Sequence, residues 1–214
     1  LTPDEETKTK TVFRFLSAGL FDNAKKAVEE ILEKNHYNSR ALFAKLLIHY
    51  EVKNETELAG KLSAVDDFEE IKTVIAYNDK SIGEKILSAL AKQTMDFAEN
   101  GDFDHAISYL REIGPYNSSA VTGLKANLKP YTVSLVAEHP DTSEQLFAAL
   151  LETYTDADSY IPYLQEYVNE CLQNNRLTVA KKYNDKIVEL DDGDLNATLT
   201  SMYLSVSANC LADF

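Results

Sequence analysis

The residues with which this chain could carry out acid–base or metal chemistry are four histidines, two cysteines and a large excess of carboxylates. Their spacing decides whether they can. His36 and His139 fall at turns, His49 lies in an apolar run, and His105 takes a surface place in a repeated word. No His-x-x-x-His or Glu-x-x-His pair lands on one helical face, the arrangement that brings two ligands to one metal ion. Cys171 and Cys210 sit inside apolar helical patterns, where buried free thiols are common. Two cysteines build neither a zinc knuckle nor a disulfide framework. "DDFEE" (66–70) reads as a solvated cap, and "DDGD" (191–194) lacks the spaced oxygens and closing glutamate of a calcium loop. The chain holds no glycine-rich phosphate cradle and no Gly-x-Ser-x-Gly elbow. We therefore expect no catalytic residue, no metal and no cofactor. Such a chain is expected to be no enzyme and to act by binding.

Charge narrows the partner. A net charge of −14 opposes nucleic-acid backbones, whose recognition needs clustered Lys and Arg, and it opposes anionic membrane surfaces. Lys25-Lys26 and Lys181-Lys182 are too diluted to reverse this. No run approaches 18 apolar residues, so no membrane insertion is expected. A protein or peptide partner of basic or neutral character fits better than an acidic one. Isolated thiols fit a reducing, cytoplasmic location. The chain opens at Leu1 and is read as a segment of a longer protein.

The elements that must position a binding surface are helical almost throughout. "NAKKAVEEILEK" (23–34) puts Ala24, Val28, Ile31 and Leu32 on one face, and "RALFAKLLIHYEV" (40–52) is apolar enough for deep burial. Ser81-x-x-Glu84 and Thr142-x-x-Gln145 read as capping boxes, and Asp194 as the cap of a last helix. Residues 160–190 form an amphipathic pair. Only "PYTVSLVA" (130–137) is rich in β-branched residues, and a short helix accounts for it as well as a strand. Breaks are expected at 35–38, 54, 78–80, 114–117, 139–141 and 191–193. About a dozen helices in one all-α domain spanning 1–214 are expected.

One word is written twice. "AGLFDNA" (18–24) gives Gly19, Phe21 and Ala24, and "NGDFDHA" (100–106) gives Gly101, Phe103 and Ala106. Each copy is followed by Tyr-Asn-Ser, at 37–39 and 116–118. A looser third copy has Asn175, Leu177 and Ala180. Gly or Asn can adopt the left-handed conformation that ends a helix and reverses the chain. The apolar residue two later is expected to plug the base of a helix pair. The alanine keeps the helix crossing close, and the aspartate after the aromatic is expected to cap the new helix.

This pattern resembles the tetratricopeptide repeat (TPR), a 34-residue helix–turn–helix unit. The family's Gly-x-aromatic-x-x-Ala core matches both strong copies residue by residue, with Phe15 and Phe97 as the aromatic late in the first helix. The sequence departs from the family in having no Trp and in spacing its copies wider than one repeat, with a degenerate unit about 39–72 (centred on Leu58-Ala59) between the first two and another about 117–153 between the second and third. The resemblance implies a right-handed superhelical stack of five to six helix pairs whose first helices line a concave groove. In the family's geometry Arg40 and Tyr50, Gln165 and Asn169, and Asn196 and Tyr203 face that groove. It implies a non-catalytic scaffold that binds a protein or peptide. Tyrosine and amide side chains suit peptides, combining apolar area with hydrogen bonding. Of the lysines, asparagines and arginine with which some family members hold a peptide carboxylate, only Asn169 is matched, so an acidic tail is not expected.

Two other readings remain at this level. A signal-sensing domain would enclose a small molecule near Tyr154, Tyr160, Tyr163 and Tyr167. A homo-oligomerisation module would present a self-complementary apolar patch.

Overall fold

Twelve α-helices joined by turns make up the described residues of the computed structural model. These are 3–62, 65, 68–77, 80–156, 159–191 and 193–212, with side chains described between Glu6 and Ser205. None of them is in a strand. Asp66, Asp67, Asn78, Asp192 and the Cys210 side chain, all singled out in the sequence, lie outside the described set.

The chain divides into two units, 1–96 with 117–121, and 97–116 with 122–214. In the first, α1 (Pro3–Ser17), α2 (Phe21–Lys34) and α3 (Ser39–His49) pack pairwise, so that a helical hairpin carries a third helix against both its members. α3 is the most buried, closing over Phe43, Ala44, Leu46 and Leu47, and it also packs on α5 (Glu69–Tyr77). The short α4 (Glu55–Lys61) and most of α6 (Lys80–Glu99) complete this unit. The second unit holds α7 (Phe103–Ile113), most of α8 (Ser119–Ser134), α9 (Pro140–Glu152), α10 (Ile161–Gln173), α11 (Leu177–Leu190) and α12 (Leu195–Ala212). There α7 packs on α9, and α11 packs on both α10 and α12. The stretch 130–137 is not extended. Its first five residues end α8 with Pro130 inside the helix, and the buried Thr132 hydroxyl donates back to the Leu128 carbonyl at 2.7 Å.

The repeated word has one backbone conformation. Gly19, Gly101 and Asn175 have φ of +73°, +80° and +57°, and the residue after each donates to the carbonyl five positions back (Leu20 to Phe15 at 2.9 Å, Asp102 to Phe97 at 2.9 Å, Arg176 to Cys171 at 2.8 Å). That is the Schellman closure of a helix end. A fourth instance is absent from the sequence pattern: Glu51 has φ +52°, and Val52 donates to the Leu47 carbonyl at 3.0 Å. Ala24, Ala106 and Ala180 are fully buried, and each donates to the residue that opens its helix. Leu58, also buried, makes the same bond to Asn54.

Several local expectations need correction. Asp22 and Asp104 lie inside the first turns of α2 and α7 and cap neither helix. Leu20 opens α2 without a side-chain cap, whereas Asp102 opens α7 and accepts from the His105 amide at 3.5 Å. Phe21 and Phe103 are half-buried at the starts of α2 and α7. Lys80 is already helical, so Ser81 is no cap; Glu84 reaches the start of α8 instead. α9 opens on His139 with Pro140 in its first turn, which places Thr142 within the helix. The expected cap at Asp194 is present, accepting from the Ala197 amide at 3.0 Å.

Candidate binding cleft on α10, α11 and α12

Three of the six expected groove residues meet in one place. Gln165 and Asn169 lie one turn apart on α10, and Asn196 lies in the first turn of α12. With Thr200 they edge a cleft of about 340 Å³ whose base is Val168 and Ile187. The walls are held from behind by buried hydrogen bonds. Asn184 of α11, 3% exposed, donates to the Ala197 carbonyl at 2.7 Å and to the Ser201 hydroxyl at 3.0 Å. Ser201 in turn donates to Asp185, which also receives Lys181 at 2.6 Å. Burial opposes ionisation of Asp185, but these two donors prevail and hold its carboxyl below the usual aspartate value.

Asp194 has two roles. One carboxylate oxygen caps α12, and the other accepts from the Gln165 amide at 3.0 Å, so the helix cap also orients a cleft residue. Asn169 and Asn196 are exposed and, among the described residues, their side chains make no hydrogen bond within the chain. Their amides leave donors and acceptors aimed at solvent over an apolar base. An extended peptide, with its alternating N–H and C=O groups, meets such a surface in chemical kind.

The other three expected residues are elsewhere. Tyr203 continues the Asn196–Thr200 face of α12 by one more turn, 68% exposed, outside the cleft. Arg40 lies exposed at a separate hollow of the first unit beside Lys10 and Arg14 of α1. There the Lys10 ammonium first, and the Arg40 charge after it, hold the Glu6 carboxyl below its usual value. Tyr50 ends α3 at the opposite end from Arg40, its ring 4.9 Å from His49. Asn184 and Thr200 were not expected at the cleft. The signal for Asn184 is a polar side chain standing between Tyr183 and Ile187 on the buried face of α11.

The tyrosine-rich segment splits in two. Tyr163 and Tyr167 are core residues around Phe147, whose ring stacks on Tyr167 at 3.7 Å and meets Tyr163 and Tyr183 at 4.7 Å. Burial raises the Tyr163 and Tyr167 phenols well above the ordinary tyrosine value and raises that of Tyr183, and it pushes the neighbouring Cys171 thiol up to about 12. Among the described residues the buried Tyr163 and Tyr183 hydroxyls form no hydrogen bond of ordinary geometry. Tyr154 and Tyr160 lie 5.9 Å apart nearer the surface, with Lys125 and Lys129 over the Tyr154 ring at 4.8 and 5.0 Å. Among the described residues no cluster of His, Cys, Asp or Glu is arranged to hold a metal, and no helix is long and apolar enough to cross a membrane. Comparison of the chain with protein-family models, curated proteins and solved structures returns no match.

Proposed function

We propose that this chain is a non-catalytic binding module that receives a peptide segment of a protein partner in the groove of a right-handed superhelical stack of TPR-like helix pairs. The carrying observation is the pair of exposed, internally unpartnered amides, Asn169 and Asn196, standing on two helices over the apolar base of Val168 and Ile187. The recurrence of one helix-reversing turn at Gly19, Gly101 and Asn175, each followed by a buried alanine, supports the repeat reading. The filled packing around Phe147 favours an aromatic core over a sensor pocket at Tyr163 and Tyr167.

The test is a selection of peptides from a displayed random library against the purified chain, followed by titration on Asn169→Ala/Asn196→Ala. Loss of about tenfold in affinity at unchanged melting temperature is expected, the scale of one or two hydrogen bonds at a binding surface. Equal binding to parent and variant, or no peptide selected, would remove this reading.

A specific observation favours a second reading, self-association. Leu195, Leu199 and Met202 of α12 are 69%, 55% and 60% exposed, on a helix that carries no charged residue. In a chain of net charge −14, this uncharged face is the kind of surface on which two copies can meet with few like charges in direct contact.

A further inference from the structure

The first unit contains a second and larger cleft, about 690 Å³, between α2, α3 and the start of α5. Its floor carries three half-buried apolar side chains, Phe21, Leu32 and Ile48. Carboxylates dominate its rim, where Asp22, Glu29, Glu33, Glu51 and Glu70 face two lysines, Lys25 and Lys45. Lys45 is already neutralised: Glu70 receives its ammonium at 2.7 Å and also stands 3.3 Å from His49 Nδ1. Among the described residues Asp22, Glu29, Glu33 and Glu51 have no ion-pair partner, which leaves four uncompensated carboxylates against Lys25.

Two of these placements work against the fold. Glu29 and Glu33 are like charges one helical turn apart, a destabilising spacing on α2. Glu51 occupies the left-handed turn position, φ +52°, that glycine fills in the two strong copies of the repeat. A glutamate there carries a steric penalty that glycine does not. Local rules favour neither choice, and both put negative charge over a half-buried apolar floor. Departures from local rules that converge on one surface are expected where a surface has a task.

We propose that this cleft docks a basic amphipathic segment of a partner protein, with apolar side chains on Phe21, Leu32 and Ile48 and lysine or arginine side chains on Glu29, Glu33 and Glu51. The assignment rests on the reading of the chain as a binding module, and it adds a second surface with its own partner chemistry. Coulomb attraction to the unpaired rim selects the sign of the segment, and the apolar floor selects an amphipathic segment over a merely cationic one.

The test uses three labelled synthetic peptides on the whole chain, read by fluorescence anisotropy: leucine–lysine at helical spacing, the same with glutamate for lysine, and the same with glycine for leucine. The leucine–lysine peptide is expected to bind about tenfold or more tightly than either control, and more weakly as salt rises. Glu51→Gly is expected to weaken its binding while melting no lower than the parent, because the turn is relieved as the charge is lost. Glu29→Gln/Glu33→Gln is expected to weaken it further. Glu138→Lys/Glu189→Lys changes the net charge at residues that do not line the cleft and is expected to leave most of the affinity. Equal binding of all three peptides, or parent-like affinity in the Glu51 and Glu29/Glu33 variants, would overturn the proposal. The Asn169→Ala/Asn196→Ala variant separates the two surfaces. It retains the leucine–lysine peptide if the acidic cleft is the site, and loss of that peptide would move it to the amide cleft and refute the assignment.

Discussion

Glu84 of α6 accepts the backbone N–H of Ala120 at 3.0 Å, closing the start of a helix 36 residues further along the chain. The Ser119 hydroxyl donates to the same carboxylate, and Ser118 completes the cap by accepting from the Val121 amide at 3.2 Å. A capping box normally takes its glutamate from the helix being capped. Here the carboxylate comes from another helix, so the cap also ties α6 to the start of α8.

The first prediction concerns this tie. Ser119 and then Ala120 hold the Glu84 carboxyl below its usual value. Between the lowered folded value and the unfolded value of about 4.3, the unfolded chain binds the extra proton. The stabilisation is therefore complete above the unfolded value and is lost as pH falls through the folded one. Glu84→Ala is expected to lower stability by about 0.5–2 kcal/mol at neutral pH, the usual worth of a helix cap. In urea titrations across acidic pH the gap between parent and variant should narrow. A gap constant down to pH values where all carboxylates are protonated would show that Glu84 acts through packing and not charge.

A second prediction tests the repeat register. Ala24 and Ala106 are completely buried one turn into α2 and α7. Ala24→Leu and Ala106→Leu should each destabilise by about 1–3 kcal/mol by overpacking. Parent-like melting of both would mean that neither alanine stands at a close helix crossing.

These positions were legible because their cause is local. A left-handed turn favours glycine or asparagine, a close approach favours alanine, and both leave a mark at fixed spacing, as at Gly19/Ala24, Gly101/Ala106 and Asn175/Ala180. The helices were legible for the same reason, through their apolar period. What sequence could not reveal depends on partners far along the chain. Glu84 looked like the cap of its own helix and caps another; Asp194 looked like a cap and also orients Gln165 on α10. The repeated Tyr-Asn-Ser conceals a shift of one residue, for Asn38 caps α3 while Ser118, not Asn117, caps α8. Glu51 adopts a turn its residue type disfavours, so no pattern search for glycine finds it. The amide cleft was half legible, because Gln165, Asn169 and Asn196 follow helical register, whereas Asn184 acts from a buried face.

Gly114 supplies a third prediction, of space and not of conformation. Its backbone is ordinary right-handed helix, yet a Cβ there would overlap the Thr153 side chain and come within 2.5 Å of the Leu110 carbonyl oxygen. Gly114→Ala should therefore destabilise by about 1–3 kcal/mol, although alanine is the better helix former. Thr153→Ser removes the clashing methyl and keeps the hydroxyl that donates to Leu150 at 2.7 Å. Partial rescue in the double variant is expected, and purely additive losses would place the clash elsewhere.

The Cys171 thiol gives a fourth. Burial pushes it up to about 12, against a hydrogen bond with Tyr167, so at pH 8 almost none is thiolate. In a Cys210→Ser background the native chain should react with an aromatic disulfide reagent far more slowly than the urea-unfolded chain. A native rate within a few-fold of the unfolded one would mean that the core around Phe147 opens readily.

The last prediction separates the two kinds of surface by their response to salt. The stripe of Leu195, Leu199 and Met202 is apolar on an uncharged helix, while the rest of the chain carries the net charge of −14. Added salt screens repulsion between copies and leaves apolar contact intact, so self-association through α12 should strengthen from low to moderate ionic strength. Binding of a basic peptide to the acidic cleft should weaken over the same range. Sedimentation of the parent is expected to give a mass that rises with concentration and salt, and Leu199→Lys/Met202→Lys should hold it at the monomer value. A parent that stays monomeric at every salt concentration would leave the stripe without a role in self-association and remove the second functional reading.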